Sequence, residues 1–81
     1  KQGAHIMDFK QHCENIGIEL LREDIQFIRI KLKGVARANH KAVLTRYADI
    51  WVNTMRQCKD EGKAMNEGRR ASNKFLWGYV K

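Results

Sequence analysis

The stretch from His40 to Lys59, HKAVLTRYADIWVNTMRQCK, constrains the fold more than any other part of the chain. Leu44, Ala48, Trp51, Met55 and Cys58 recur at steps of 4, 3, 4 and 3. That spacing places them on one side of an α-helix. Val43, Tyr47 and Ile50 widen the apolar side. Lys41, Thr45, Arg46, Asp49, Asn53, Arg56, Gln57, Lys59 and Asp60 fall mostly opposite. A helix with so broad an apolar face has to bury it against neighbours, and the flanking segments carry matching stripes.

Ahead of it, Phe9, Cys13 and Ile16 are spaced 4 and 3 and predict a short helix over Met7–Ile16. Asp8 suits the positive end of its dipole. Gly17 is read as a left-handed stop followed by an apolar contact from Ile18. The alternative, one long helix running through Gly17, costs about 1 kcal/mol relative to Ala. Ile18, Leu21, Ile25, Ile28 and Leu32 are spaced 3, 4, 3 and 4, so a second helix is expected over Ile18–Lys33. Its acids Glu19, Glu23 and Asp24 come early and its bases Arg29, Lys31 and Lys33 late, which complements the dipole. Residues 28–33 also alternate as a half-buried strand would. No other stretch offers a partner strand, and a lone strand leaves its backbone unsatisfied, so the helix is preferred.

Gly34 is expected to end the second helix, with Asn39 as N-cap of the third. The third helix is expected over His40–Asp60, with Gly62 as its stop. The last segment, Lys63–Lys81, carries a stripe of Ala71, Ser72, Phe75, Leu76 and Tyr79. Asn66 is a cap candidate there, and the small residues would allow close approach to another helix. The chain contains no Pro, which favours uninterrupted helices. The expected fold is all-α, a small three-helix bundle with an additional short N-terminal helix. Residues 1–81 form a single domain, with residues 1–6 set apart as sequence preceding a native start at Met7.

At this length a chain buries roughly 60–65% of its unfolded surface, enough to fold without several disulfides. The two cysteines, Cys13 and Cys58, sit in periodic apolar runs and are expected as free thiols, not a disulfide framework. A reducing, cytoplasmic setting follows. No run approaches the length of a membrane span, and no signal-peptide pattern is present.

The net charge of +7 is blocked along the chain. Residues 1–24 are net −2, residues 25–48 net +6 with no acid at all, residues 49–61 net −1 and residues 62–81 net +4. Such blocks mark an electrostatic footprint for an anion. Lys31, Lys33, Arg37, Lys41 and Arg46 surround the turn between the second and third helices. Arg69, Arg70 and Lys74 lie on the last helix. These eight are the candidate nucleic-acid-binding residues, acting through phosphate contacts, with DNA or RNA as partner. Ser72 and Asn73 beside Arg69 and Arg70 make the last helix a candidate base reader, since Asn pairs with an adenine edge. A helix-turn-helix is disfavoured, because the connection is longer than its usual turn of three or four residues.

Trp51 lies mid-stripe and is expected in the core. Trp77 lies off the Ala71–Phe75–Tyr79 line and is expected partly exposed, where it would serve base stacking or partner docking. The alternative function is a helical protein-interaction or docking module for an acidic protein surface, and a third is a homodimer built on an uncovered apolar face. Metal binding by His12, Cys13, His40 and Cys58 lacks any paired ligand spacing. Cys–His nucleophilic chemistry is disfavoured because each cysteine lies on a packing stripe. Glu23–Asp24 and Asp60–Glu61 are read as helix-surface acids. Neither an enzyme nor a cofactor is expected.

Overall fold

The structure, a computed structural model, describes residues 2–79, with side chains from Ile6 to Tyr79. Lys81, counted among the bases of the last block, lies outside the described residues, as do the side chains of the opening KQGAH. Four helices follow in order: α1 (Gln2–Asn15), α2 (Arg22–Leu32), α3 (His40–Gln57) and α4 (Glu61–Tyr79), with a 3₁₀ turn at Arg37–Asn39 between α2 and α3. The all-α bundle with a preceding N-terminal helix is the observed architecture.

α1 begins before Met7, because the stripe starts one turn earlier than expected: Ile6, Phe9 and Cys13 are all buried. Ile16 is exposed instead, since it already belongs to the stop. That stop is a Schellman motif. Gly17 takes φ +90°, the Gly17 N–H donates to Glu14 O at 3.2 Å, and the Ile18 N–H donates to Cys13 O at 2.8 Å. Glycine adopts this backbone at no steric cost, and Ile18 is delivered into the core.

Ile18–Leu21 is extended, not helical. The period-2 arrangement buries Ile18 and Leu20 and exposes Leu21. Asp24 explains the delayed start of α2. Its Oδ2 accepts the Leu21 N–H at 3.0 Å, half of a capping box in which the N-cap residue itself has no side-chain acceptor. Ile25, Ile28 and Leu32 then face inward as their spacing requires. The last turn tightens through Lys33→Ile30, Gly34→Lys31 and Val35→Leu32 backbone bonds. His40 closes this end from the next helix. Its Nε2 lies 2.9 Å from Leu32 O and 2.8 Å from Val35 O, so Nε2 must carry the proton. Asn39 has no side-chain capping bond, because the 3₁₀ turn leads into α3 with helical dihedrals already in place.

α3 ends at Gln57, with Cys58 extended. Gly62 is not a stop. It lies in the first turn of α4, where its N–H donates to Asp60 Oδ1 at 2.9 Å in an N-cap arrangement. Asn66 accordingly sits within α4, not at its start. α3 and α4 run antiparallel and cross closely where α4 presents Ala64, Gly68, Ser72 and Leu76, a buried i, i+4 line. Trp51 and Tyr47 of α3 fill the space opposite, both fully buried, with ring centroids 5.9 Å apart. Phe9 of α1 meets Tyr47 edge-on at 6.1 Å. A Cβ at Gly68 would fall within the Trp51 indole, 2.7 Å from Nε1. Gly68 is therefore the contact point of the crossing, and Trp51 Nε1, facing it, has no acceptor among the described residues.

Candidate nucleic-acid interface

A buried polar cluster ties α2 to α4 and fixes which charged groups remain outside. Asp24 is buried. It accepts from Arg69 Nε at 2.8 Å and from Asn73 Nδ2 at 3.4 Å. The Arg69 Nη2 donates to Glu19 O at 2.9 Å, and its Nη1 to Asn66 Oδ1. Tyr47 Oη donates to Asn73 Oδ1, and Ser72 Oγ donates to Tyr47 O at 2.8 Å. Burial pushes the Tyr47 phenol well above its ordinary value, with the nearby Asp24 and Cys13 adding to the rise and Arg69 opposing it. Burial likewise pushes the Cys13 thiol up to about 12, helped by Glu14.

This cluster revises three readings from the sequence. Asp24 is not a helix-surface acid. Ser72 and Asn73 are not base readers, because both face inward and their donors are engaged. Arg69 sits in a mostly buried ion pair, its guanidinium fork divided among Asp24, Glu19 and Asn66. It joins helices and does not offer itself to solvent. A guanidinium that gives one N–H to a buried carboxylate and the others to Glu19 and Asn66 is a local arrangement that helical periodicity alone does not reveal.

The other candidates gather at one end of the bundle. α2 and α4 point the same way, since Asp24 meets Arg69 and Asn73 near the start of α2 while Lys31 meets Trp77 near its end. α3 runs opposite and starts at that same end. The C-terminal turns of α2 and α4, the 3₁₀ turn and the first turn of α3 thus meet. They bring together Lys31, Lys33, Arg37 and Lys41, while Lys74 stands on α4 short of its last turn, beside Asn73. All but the half-buried Lys31 are exposed. The acids Glu19, Glu23, Asp60 and Glu61 lie at the opposite end, mixed with Arg22, Lys59 and Lys63. Comparison with protein-family models, curated proteins and solved structures finds no match to this chain.

Two more of the eight flank this end. Arg46 stands beside Asp49 on a shallow, open depression of the outer face of α3, also lined by Ala38, Lys41, Ala42 and Thr45. Arg70 is 80% exposed and makes an i, i+3 ion pair with Glu67 at 3.6 Å. Such an exposed pair is worth about 0–1 kcal/mol and exchanges readily for another anion. Of the eight sequence candidates, seven therefore remain on the surface and four converge on one end. Arg29, in the last turns of α2, is a further exposed cation near that end.

Trp77 belongs to the same end. It is 65% exposed. Its ring is nearly parallel to Phe27, with centroids 6.4 Å apart, and the Lys31 Nζ lies 3.7 Å from its centroid. Trp51, by contrast, is wholly core. His40 is engaged with the α2 carbonyls and Cys13 is packed within the core, so neither is displayed as a ligand or nucleophile. No helix among the described residues is long and apolar enough to cross a membrane.

Proposed function

We propose that this chain is a nucleic-acid-binding domain that contacts phosphates through the basic end of its helical bundle. The observation that supports this reading is the meeting of Lys31, Lys33, Arg37 and Lys41 at one end, with Lys74 on the adjoining part of α4 and every acid of α2 and of the α3–α4 connection at the other end. Part of this separation has a plain structural use, because the bases Arg29 and Lys31 in the last turn of α2 complement its helix dipole. Arg37 and Lys41 do not. They sit at the N-terminal end of α3, where the dipole disfavours cations. A polyanion spanning this end offsets that cost, and each cation that meets a phosphate releases condensed counterions.

Five phosphate contacts, those of the four cations at this end and of Lys74, give a slope of log K against log salt of about −4.5 on duplex DNA and about −3.5 on a single strand. Fluorescence anisotropy with labelled oligonucleotides across a salt series measures it. No binding at low salt, or a slope near zero, refutes the reading. An acidic protein surface as partner is the second reading, favoured by the same cations. A purified protein free of nucleic acid and indifferent to added oligonucleotide would turn the balance to it.

A further inference from the structure

We infer that Trp77 is a stacking platform for an unpaired base, and that the ligand of the basic end is single-stranded nucleic acid. This rests on the proposed function and makes its substrate class specific. Trp77 is a large aromatic residue of α4 that the fold leaves mainly in solvent, at 65% exposure. It is nevertheless held in place. Phe27 and Lys31 both come from α2, one turn apart, and cover the side of the indole that faces that helix. The surface left exposed is ring area that these two contacts do not cover.

The surroundings define what that face accepts. Arg70, Lys74 and Trp77 are spaced 4 and 3 and share one outward face of α4. Two cations one and two turns from an exposed indole, with Lys31 3.7 Å from its centroid, match a base flanked by backbone phosphates. Cationic tracks interleaved with aromatic faces are how single strands are held without sequence reading. The bases of a continuous duplex lie within its own stack and present no face to such a ring. An apolar protein side chain would gain nothing from the cations.

The 81-residue chain is titrated with dT and U oligonucleotides of about 12 nucleotides and with a duplex of the same length, at low salt. Intrinsic fluorescence is read in the unaltered protein and in Trp77→Phe, whose remaining indole is the buried Trp51. Both single strands are expected to quench the Trp77 component. Trp77→Ala is expected to weaken single-strand binding by about 5- to 150-fold, the value of one stacked base. Trp77→Phe keeps a ring and recovers most of the affinity, while duplex binding is little changed by either. Circular dichroism checks that both variants are folded. Absence of binding to every oligonucleotide overturns the proposed function itself. Salt-dependent binding without quenching, or with equal losses on single strand and duplex, overturns the stacking inference alone. Concentration-dependent sedimentation abolished by Trp77→Ala, with no quenching, would assign the face to a second copy of the chain instead.

Discussion

Replacing Gly68 with Ala should destabilise the protein, although the same change in a solvent-facing helix stabilises it. Ala gains about 1 kcal/mol over Gly in a helix interior from backbone entropy alone. Against that stands the Trp51 ring, which the new methyl would penetrate, with Nε1 at 2.7 Å and Cγ at 3.0 Å. The ring cannot swing aside. It is fully buried, Tyr47 lies against it at 5.9 Å, and the Arg69 guanidinium lies 5.2 Å from its centroid. Either α4 moves away from α3 or Trp51 leaves its rotamer. Overpacking of this kind costs about 1–3 kcal/mol, and more where backbone must shift. Taking the upper half of that range, since both sides are rigid, the net loss is about 1–2 kcal/mol. In a domain of this size that lowers the melting temperature by roughly 4–16 °C. Gly78 lies in the same helix with nothing within 4 Å of its added Cβ. Gly78→Ala should be neutral or stabilising by up to about 1 kcal/mol. Urea melts followed by circular dichroism and by Trp51 emission report both variants. A Gly68→Ala protein as stable as the unaltered chain would refute the close crossing.

Arg69→Ala should cost about 3 kcal/mol, because it strands the buried Asp24 without its cation. It should leave the salt slope of nucleic-acid binding unchanged. Arg69→Lys should recover little, since an ammonium cannot reach Asp24 and Glu19 as a fork does, and a changed slope would show that Arg69 faces the ligand after all. Stability should also fall at high pH. The Cys13 thiol ionises near 9.0 when unfolded and at about 12 when folded. Its stabilisation is therefore complete below about pH 9 and is lost as pH rises toward 12, at up to about 1.4 kcal/mol per pH unit. Tyr47 acts in the same direction above its own ordinary range. Urea midpoints measured between about pH 9 and pH 10 should fall less steeply in Cys13→Ala; equal slopes would contradict a buried thiol.

The apolar spacing carried most of the architecture, because burial along a long helix imposes its period on the sequence. His40–Gln57 was legible for that reason, as was the glycine stop at residue 17, where one bond pattern requires one residue type. The periodicity failed where polar atoms decide. Ile18 and Leu21 fit a helical stripe, yet Asp24 accepts the Leu21 N–H and delays the start of α2 by four residues. Gly62 resembled a stop, yet Asp60 beside it is an N-cap. The charge blocks located the cations but not their role. Arg69 and Arg70 are adjacent in sequence and opposite in use, one bonded across helices and the other in solvent. The turn cations and the Lys74–Trp77 stretch are about forty residues apart in sequence; only the parallel course of α2 and α4 brings them to one end.

The most direct test of the account moves charge without changing its total. One variant replaces Lys33, Arg37, Lys41 and Lys74 with Gln, at the basic end and on the adjoining part of α4. The other replaces Arg22, Arg56, Lys59 and Lys63 with Gln, at the mixed end. Both lose the same charge, and all eight side chains are exposed. Oligonucleotide binding across a salt series should lose about four contacts' worth of slope in the first variant, near 3 units on a single strand, and almost none in the second. Equal losses in the two variants would contradict the account, because they would show that net charge, and not the end where the helices meet, attracts the nucleic acid.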